Sequence, residues 1–436
     1  MVRAFLSVDG RTTPPPARRA SAVPHPGTPM SSRTAPSRAL LPLVALFCAG
    51  YLAPYLMPTV VGRLTAGLGL SGSQAGAVGS ALLLGSACAG FTLASRVDRI
   101  GRARLARYGL LLIAGGFTTA AATGHVPLVV LGCVAGGFGS GTSTAVAAVG
   151  ISGEREPHRV TVLALLATSA TAGTLYLVLP RLGGGHALPL AAIAATALLV
   201  LPLTRRLPTL PRPHSTAAAP PAGLPLPHLG AGAVLAVSML CWSLAQNALW
   251  GVSGRIGLDR VGLSEAAVGM VFAVALGGGL LGVVAAGALG ARLGRAVPVG
   301  AGTVVIAVCV AVGASARGPV AFAVGEVLWN TVYPVVLSYL IGLAAALDPR
   351  GRWAVYAGSA SSLGVACGPL TGALLCARLG FPAMGAVLGC LLLLAAVPLT
   401  AVARGAGSRG WGRGAVAVGR RAAAAVVARA DVGRAA

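Results

Sequence analysis

The chain has 436 residues, 56% of them hydrophobic and only 10% charged, with a mean hydropathy of +0.83. A water-soluble globular chain has too little interior to hide that much apolar surface, so part of its solvent must be lipid. The formal charge of +24 comes from 33 basic residues against 9 acidic ones. All the basic residues are Arg, and they gather in the tails and at the ends of apolar segments, which points to lipid headgroups and away from nucleic acid.

Residues 1–38 are rich in Pro, Ser and Arg, and read as a disordered cytoplasmic N-terminal tail that cannot bury enough surface to fold. From Ala39 onward the pattern changes. Apolar blocks of about 18–25 residues, long enough to cross a ~30 Å hydrocarbon core, fall near 39–62, 73–95, 104–122, 126–150, 160–180 and 187–204. A second series falls near 229–253, 263–288, 297–314, 318–343, 353–376 and 380–402. Such runs are helices, because an isolated strand in lipid leaves its backbone groups unpaired. The expected fold is therefore an all-α integral membrane protein with twelve transmembrane helices. Residues 205–228, with Arg205-Arg206 and Pro220-Pro221, form a cytoplasmic Pro-rich linker between two six-helix bundles, 39–204 and 229–402. Residues 403–436 form a basic cytoplasmic tail. The eight cysteines sit singly in apolar segments with no C-x-x-C spacing, as small buried hydrophobes do.

Arginine placement predicts the orientation. With both tails inside, the inner loops hold fourteen arginines, and the outer ones hold six: Arg63, Arg181, Arg255, Arg260, Arg317 and Arg378. The positive-inside rule then puts both termini in the cytoplasm, as expected of a multi-pass protein of the plasma (inner) membrane.

Three landmarks recur at nearly one offset. Gly69-Leu70-Ser71 with Gly76 matches Gly262-Leu263-Ser264 with Gly269, 193 positions on. Asp98-Arg99-Ile100-Gly101-Arg102 matches Ala291-Arg292-Leu293-Gly294-Arg295, again 193 on. Glu156-Pro157-His158-Arg159 resembles Asp348-Pro349-Arg350-Gly351-Arg352, 192 on. Three landmarks in order at one spacing imply two related halves.

On these residues the chain resembles the major facilitator superfamily over about 39–402. The family's loop between its second and third helices reads G-x-L-x-D-R-x-G-R. This chain keeps Asp98, Arg99, Gly101 and Arg102, with Ala94 and Arg96 in place of the leading Gly and Leu. The second-half copy keeps Gly287, Leu289, Arg292, Gly294 and Arg295, with Ala291 in place of the acid. The resemblance implies that Asp98, Arg99, Gly101, Arg102, Arg292, Gly294 and Arg295 form a conformational latch for alternating access, with the acid in the first half only. It also implies that helices one, four, seven and ten line a central cavity. An Arg in the fourth helix and a G-P-x-x-G-G pattern in the fifth, both frequent in the family, are absent.

Of the nine acids, Glu326 alone falls inside an apolar segment, about nine residues past Arg317 and so roughly 13 Å deep. A charge there costs at least about 2.5–3.5 kcal/mol, so it must be protonated, paired or facing water. Trp329, Asn330 and Tyr333 share its helix face, and Pro334 is expected to bend that helix. A second stripe comprises Trp242, Gln246 and Trp250, with Ser243 and Asn247 beside it. Tyr51 and Tyr55 lie one turn apart in the first helix. The fourth helix offers Ser140, Thr142, Ser143 and Thr144. Together these predict a substrate cavity with Glu326 as the proton-coupling group.

The expected function is a secondary active transporter that exports a small amphipathic or cationic organic compound, coupled to protons. The alternative within the class is an uptake permease for a small nutrient. From other classes come a non-transporting membrane sensor and a membrane-embedded transferase. The transferase needs a base and acid together, and His125, His158, His186, His214 and His228 are scattered, with only Glu154 near His158 as such a pair. No phosphate-binding loop occurs and there is no Lys to build one, so an ion gradient is the expected energy source. No cofactor, no metal and no enzymatic role are expected. The expected partners are the lipid bilayer, the solute and protons, with no nucleic acid, and the protein is expected to be a monomer.

Overall fold

The structure is a computed structural model that describes residues 39–183, 185–207, 226–290, 293–348 and 350–408. The predicted N-terminal tail, most of the linker and the C-terminal tail beyond Ser408 lie outside the described residues.

Thirteen α-helices carry the described chain, and no strand occurs among its residues. In the first half they are α1 (Leu40–Tyr55), α2 (Met57–Leu68), α3 (Gly72–Leu93), α4 (Val97–Ile100), α5 (Arg102–Ala122), α6 (Val126–Ser152), α7 (Pro157–Leu182) and α8 (Ala187–Val200). The second half has α9 (Leu229–Arg255), α10 (Glu265–Leu289), α11 (Ala296–Ser315), α12 (Pro319–Leu347) and α13 (Arg352–Ser408). Ten helices are long and apolar enough to cross a membrane, and α1 with α2 makes one more span, bent by 50°. The bend lies between Pro54 and Pro58, where prolines remove backbone donors. The 57-residue α13 breaks at Gly380 (φ 77°) into two arms, so twelve crossings result. We call the side carrying the linker the linker side, and the other the far side.

The predicted spans and the helices agree to within a few residues, with informative exceptions. Arg63, read as a loop residue, lies in α2 and is 8% exposed. Arg181 and Arg255 also lie in last helical turns. The stretch expected to be a tight loop, 96–104, is helical nearly throughout: a 3₁₀ turn (Ala94–Arg96), then α4, then α5. It turns at Gly101, whose φ of 98° only glycine adopts easily. Pro334 leaves α12 as one helix over 29 residues, and α13 carries helix into the predicted tail as far as Ser408.

The first repeat landmark has a structural counterpart. Gly69 (φ 64°) and Gly262 (φ 75°) precede Ser71 and Ser264, which cap α3 and α10 by accepting hydrogen bonds from the N–H groups of Gln74 (3.2 Å) and Ala267 (3.3 Å). One turn or so into each helix, Gly76 and Gly269 let the chain cross the other half closely. A Cβ on Gly76 would stand 2.8 Å from Pro369 O of α13, and one on Gly269 would overlap Tyr176 O of α7. The sequence repeat thus marks the two places where the second span of each half meets its opposite.

Close helix approach within each half also rests on glycine. In α5, a Cβ on Gly116 would lie 2.5–2.6 Å from backbone atoms of α6, whereas its neighbour Gly115 faces outward with nothing within 4 Å. Gly116→Ala is therefore expected to cost about 1–3 kcal/mol through overpacking. Gly115→Ala should be neutral or slightly stabilising through helix propensity. Thermal unfolding in detergent checks this, and equal melting temperatures for the two variants would contradict the tight α5–α6 seam.

Candidate functional site

A cavity of about 300 Å³ lies between the halves near mid-span. The first half contributes Tyr51, Pro54 and Tyr55 from α1, and Leu165 and Ser169 from α7. The second half contributes Gln246, Asn247 and Trp250 from α9, Leu276, Gly279, Leu280 and Val283 from α10, and Val365 from α13. From α12 come Trp329, Asn330, Tyr333, Pro334 and Leu337. These described lining residues carry no charge.

The polar groups are oriented by their own helices. Asn247 Nδ2 donates to Ser243 O (2.9 Å), and Asn330 Nδ2 donates to Glu326 O (2.9 Å). A carbonyl can only accept, so each amide turns its nitrogen to its helix and its oxygen away. Gln246 Nε2 likewise donates to Trp242 O (3.0 Å), and its Oε1 accepts from Trp329 Nε1 at 2.8 Å. Trp250 Nε1 donates to Pro54 O (3.1 Å), which ties the two halves together.

Aromatic rings close the far side of the cavity. Trp250 lies edge-on to Trp329 at 5.8 Å and tilted on Phe272 at 5.2 Å. Phe272 in turn meets Tyr176 at 5.1 Å and Phe322 at 6.3 Å. Such contacts fix ring geometry as well as burying area. Trp242, predicted to face the cavity, is fully buried behind it and stacks on Tyr333 at 5.2 Å.

Glu326 does not line the cavity. It is 1% exposed, one turn before Trp329 and therefore behind the aromatic layer. Ser253 Oγ donates to its Oε1 at 2.7 Å, and its Oε2 has no hydrogen-bond partner among the described residues. The cavity and the buried acid, expected as one site, are two adjacent compartments that share α9 and α12.

The fourth span, α6, supplies no lining residue. Three of the four hydroxyls expected there bond back to their own helix, Ser140 to Gly136 O (3.1 Å), Thr142 to Phe138 O (2.8 Å) and Thr144 to Gly141 O (2.9 Å), while Ser143 Oγ is buried with no partner among the described residues. Its glycines hold it tight against α3, where a Cβ on Gly137 or Gly141 would overlap Leu82 O or Ser86 O. The places expected of α6 are taken by α7 and α10, whose side chains there, Ser169 apart, are small or aliphatic and gave no polar signal in the sequence.

In the latch stretch, Arg102 reaches back to Asp98 across Gly101, with Nε and Nη2 each 3.0 Å from Oδ1. Arg99 is exposed. In the second copy Gly294 has φ 63° and Arg295 precedes α11, while Ala291 and Arg292 lie outside the described residues. The third landmark is unequal too. Glu156 and Arg159 form an exposed pair at 3.3 Å, whereas Asp348, 3% exposed at its side chain, holds Arg352 Nε at 2.7 Å.

No protein-family model and no curated protein matches the chain. Solved structures do. A bacterial homolog of the human lysosomal transporter Spinster, in an inward-facing, unoccupied conformation, is 16% identical with a TM-score of 0.65, over 85% of this chain and 97% of that one. A D-xylose–proton symporter is 17% identical with a TM-score of 0.68, over 84% and 97%. The human organic anion transporter MFSD10 is 18% identical with a TM-score of 0.61, over 83% and 99%. At such identities the likeness establishes the fold: an all-α membrane protein with the major facilitator architecture.

Burial raises the Asp348 carboxyl's pKa, but the Arg352 guanidinium and the Arg350 N–H at 3.1 Å outweigh this and hold it below its ordinary value. A folded-state pKa below the unfolded one stabilises above the unfolded value of about 3.9 and is lost as pH falls through the folded one. Asp348→Asn should therefore lower the melting temperature at neutral pH. Its deficit relative to the natural chain should shrink below about pH 4; a deficit independent of pH would contradict the ion pair's role.

Proposed function

We propose that the chain is a secondary active transporter of the major facilitator type that exports a small amphipathic or cationic organic compound by alternating access, driven by protons. The observation that carries this reading is the mid-span cavity built from both halves and closed on the far side by Trp250, Trp329 and Phe272. A solute site at the interface of two repeats is what rocking of the halves requires. Aromatic faces from Tyr51, Tyr55, Trp250, Trp329 and Tyr333 suit a ring-bearing or cationic solute. The absence of any basic side chain from the described lining argues against a strongly anionic one.

In this reading the far side faces outward, both termini are cytoplasmic, and the membrane is the plasma membrane, in keeping with the arginine distribution. Coupling is assigned to Glu326, the one acid buried mid-span. No cation is paired with it among the described interactions, and an unpaired carboxyl at that depth is stable only when protonated. Loss and gain of that proton would then accompany the change in conformation. Uptake of a small nutrient is the second reading, favoured by the outward-turned oxygens of Asn247 and Asn330, which suit a hydroxylated solute.

Transport in membrane vesicles with an imposed pH gradient tests the assignment in either direction. Glu326→Gln is expected to reduce gradient-driven flux at least about tenfold while leaving solute binding within about threefold; equal gradient-driven flux in both proteins would remove Glu326 from coupling. Asp98→Asn releases the Arg102 contact and is expected to slow turnover with binding nearly intact. Loss of binding in Asp98→Asn would refute the latch.

A further inference from the structure

On the far side two arginines occupy related places and reach in related directions. Arg63 lies in the far-side part of the first span of the first half, five residues before the end of α2, and Arg255 ends α9, the first span of the second half, 192 positions later. Each reaches the start of the second span of the opposite half. Arg63 Nη2 meets the Glu265 carboxylate at the first residue of α10, at 2.6 Å. Arg255 lies against Gly72 at the first residue of α3, so closely that a Cβ there would overlap its guanidinium. Gly72 and Glu265 are themselves 193 positions apart. The two contacts are thus copies related by the internal repeat.

They differ in chemistry. Arg63 has its acid across the interface, and its Nη1 also donates to Gly183 O at 3.2 Å. Arg255 has its acid on its own side, with Asp259 at 3.4 Å, and its guanidinium lies over the Phe381 ring at 5.7 Å. Across the interface, therefore, one contact is ionic and the other steric.

Beside the ionic contact lies a small vestibule of about 70 Å³, lined by Arg63 and Glu265 together with Thr59, Tyr176 and Phe272. Gly254 lines it as well, and the next residue inward, Ser253, holds Glu326. The vestibule is one side-chain layer from the buried acid. Ser253 of α9 bonds that acid, and the titratable groups that feel its charge are Tyr176 of α7 and Cys309 of α11.

We infer that Arg63–Glu265 and Arg255–Gly72 form a two-point far-side gate, and that parting of the Arg63–Glu265 pair admits water to the vestibule above Glu326. The second clause rests on the proton coupling proposed above; the gate itself does not. The arginine is buried and also bonds Gly183 O, while its partner stays 45% exposed at its side chain: the arginine is held by the fold, and the acid leaves with α10. Since Gly72 brings no charge, separation of the second contact carries no electrostatic cost, and the ion pair sets the balance.

The test is the labelling rate of Thr59→Cys by a membrane-impermeant maleimide, read by mass at position 59 in detergent-solubilised full-length chain without solute or gradient. Glu265→Gln added to Thr59→Cys is expected to raise the rate about fivefold, the shift that loss of a partly buried ion pair produces. The charge swap Arg63→Glu with Glu265→Arg should return it to within about twofold of the starting value. Gly72→Val, which displaces Arg255 and leaves the ion pair untouched, should also raise it. An unchanged rate in Glu265→Gln, or a swap that labels as fast as the single variant, overturns the ionic gate. An unchanged rate in Gly72→Val removes Arg255 from it. Faster labelling in Glu265→Gln with no gradient-driven flux in the natural chain would leave the gate standing and overturn its link to proton entry.

Discussion

In hydrocarbon a hydroxyl or amide has no water to bond, and the chain meets this constraint in a uniform way. Most polar side chains in the spans donate to a carbonyl one turn earlier in their own helix. Thr168 bonds Ala164 O, Thr171 bonds Ala167 O, Thr331 bonds Val327 O and Thr400 bonds Ala396 O, all at 2.7–2.8 Å. A group satisfied within its helix places no demand on its neighbours, so the spans can slide or tilt without exposing an unpaired donor. The exceptions include bonds that run between helices, four of which lie at or near the cavity and the interface of the halves: Ser253 to Glu326, Trp329 to Gln246, Trp250 to Pro54, and the Leu370 N–H to Ser80 Oγ at 2.9 Å. The last two join the halves, and the other two join α9 to α12 beside the cavity.

Glycine sets the spacing within which those bonds form. Hydrophobic burial does not drive helices together in lipid, so close backbone contact must supply the attraction. The halves touch on the far side where Gly76 meets α13, Gly254 meets Pro58 and Gly269 meets α7. These contacts need no specific side-chain geometry, which suits an interface that must open. Charge and hydrogen bonds then tune how firmly it closes.

Much of this was legible in the residues. Lengths of apolar runs predicted the spans, and the 193-residue repeat pointed to paired halves before any helix was placed. Gly76 and Gly269 were visible as repeat landmarks, although their role in the crossing of halves was not. The stripe rule placed Trp329, Asn330 and Tyr333 on one face, and all three line the cavity. The same rule placed Trp242 with Gln246 and Trp250, and there it was insufficient, because a stripe wider than the cavity mouth buries its edge behind a neighbouring ring. The α7 and α10 contributions had no signal, since Leu165, Leu276 and Gly279 look like any lipid-facing positions.

What the sequence by itself determined is therefore what depends on local chemistry: how many times the chain crosses, that the crossings repeat, and that Glu326 is costly where it lies. Only the tertiary structure decided that Glu326 sits behind Trp329 and outside the cavity, and that Arg63, read as a loop residue, is buried against an acid 202 positions away. Helical period tells which side chains share a face. It does not tell which helix that face meets, or at what depth, because those follow from packing two halves whose contacts are distant in the chain.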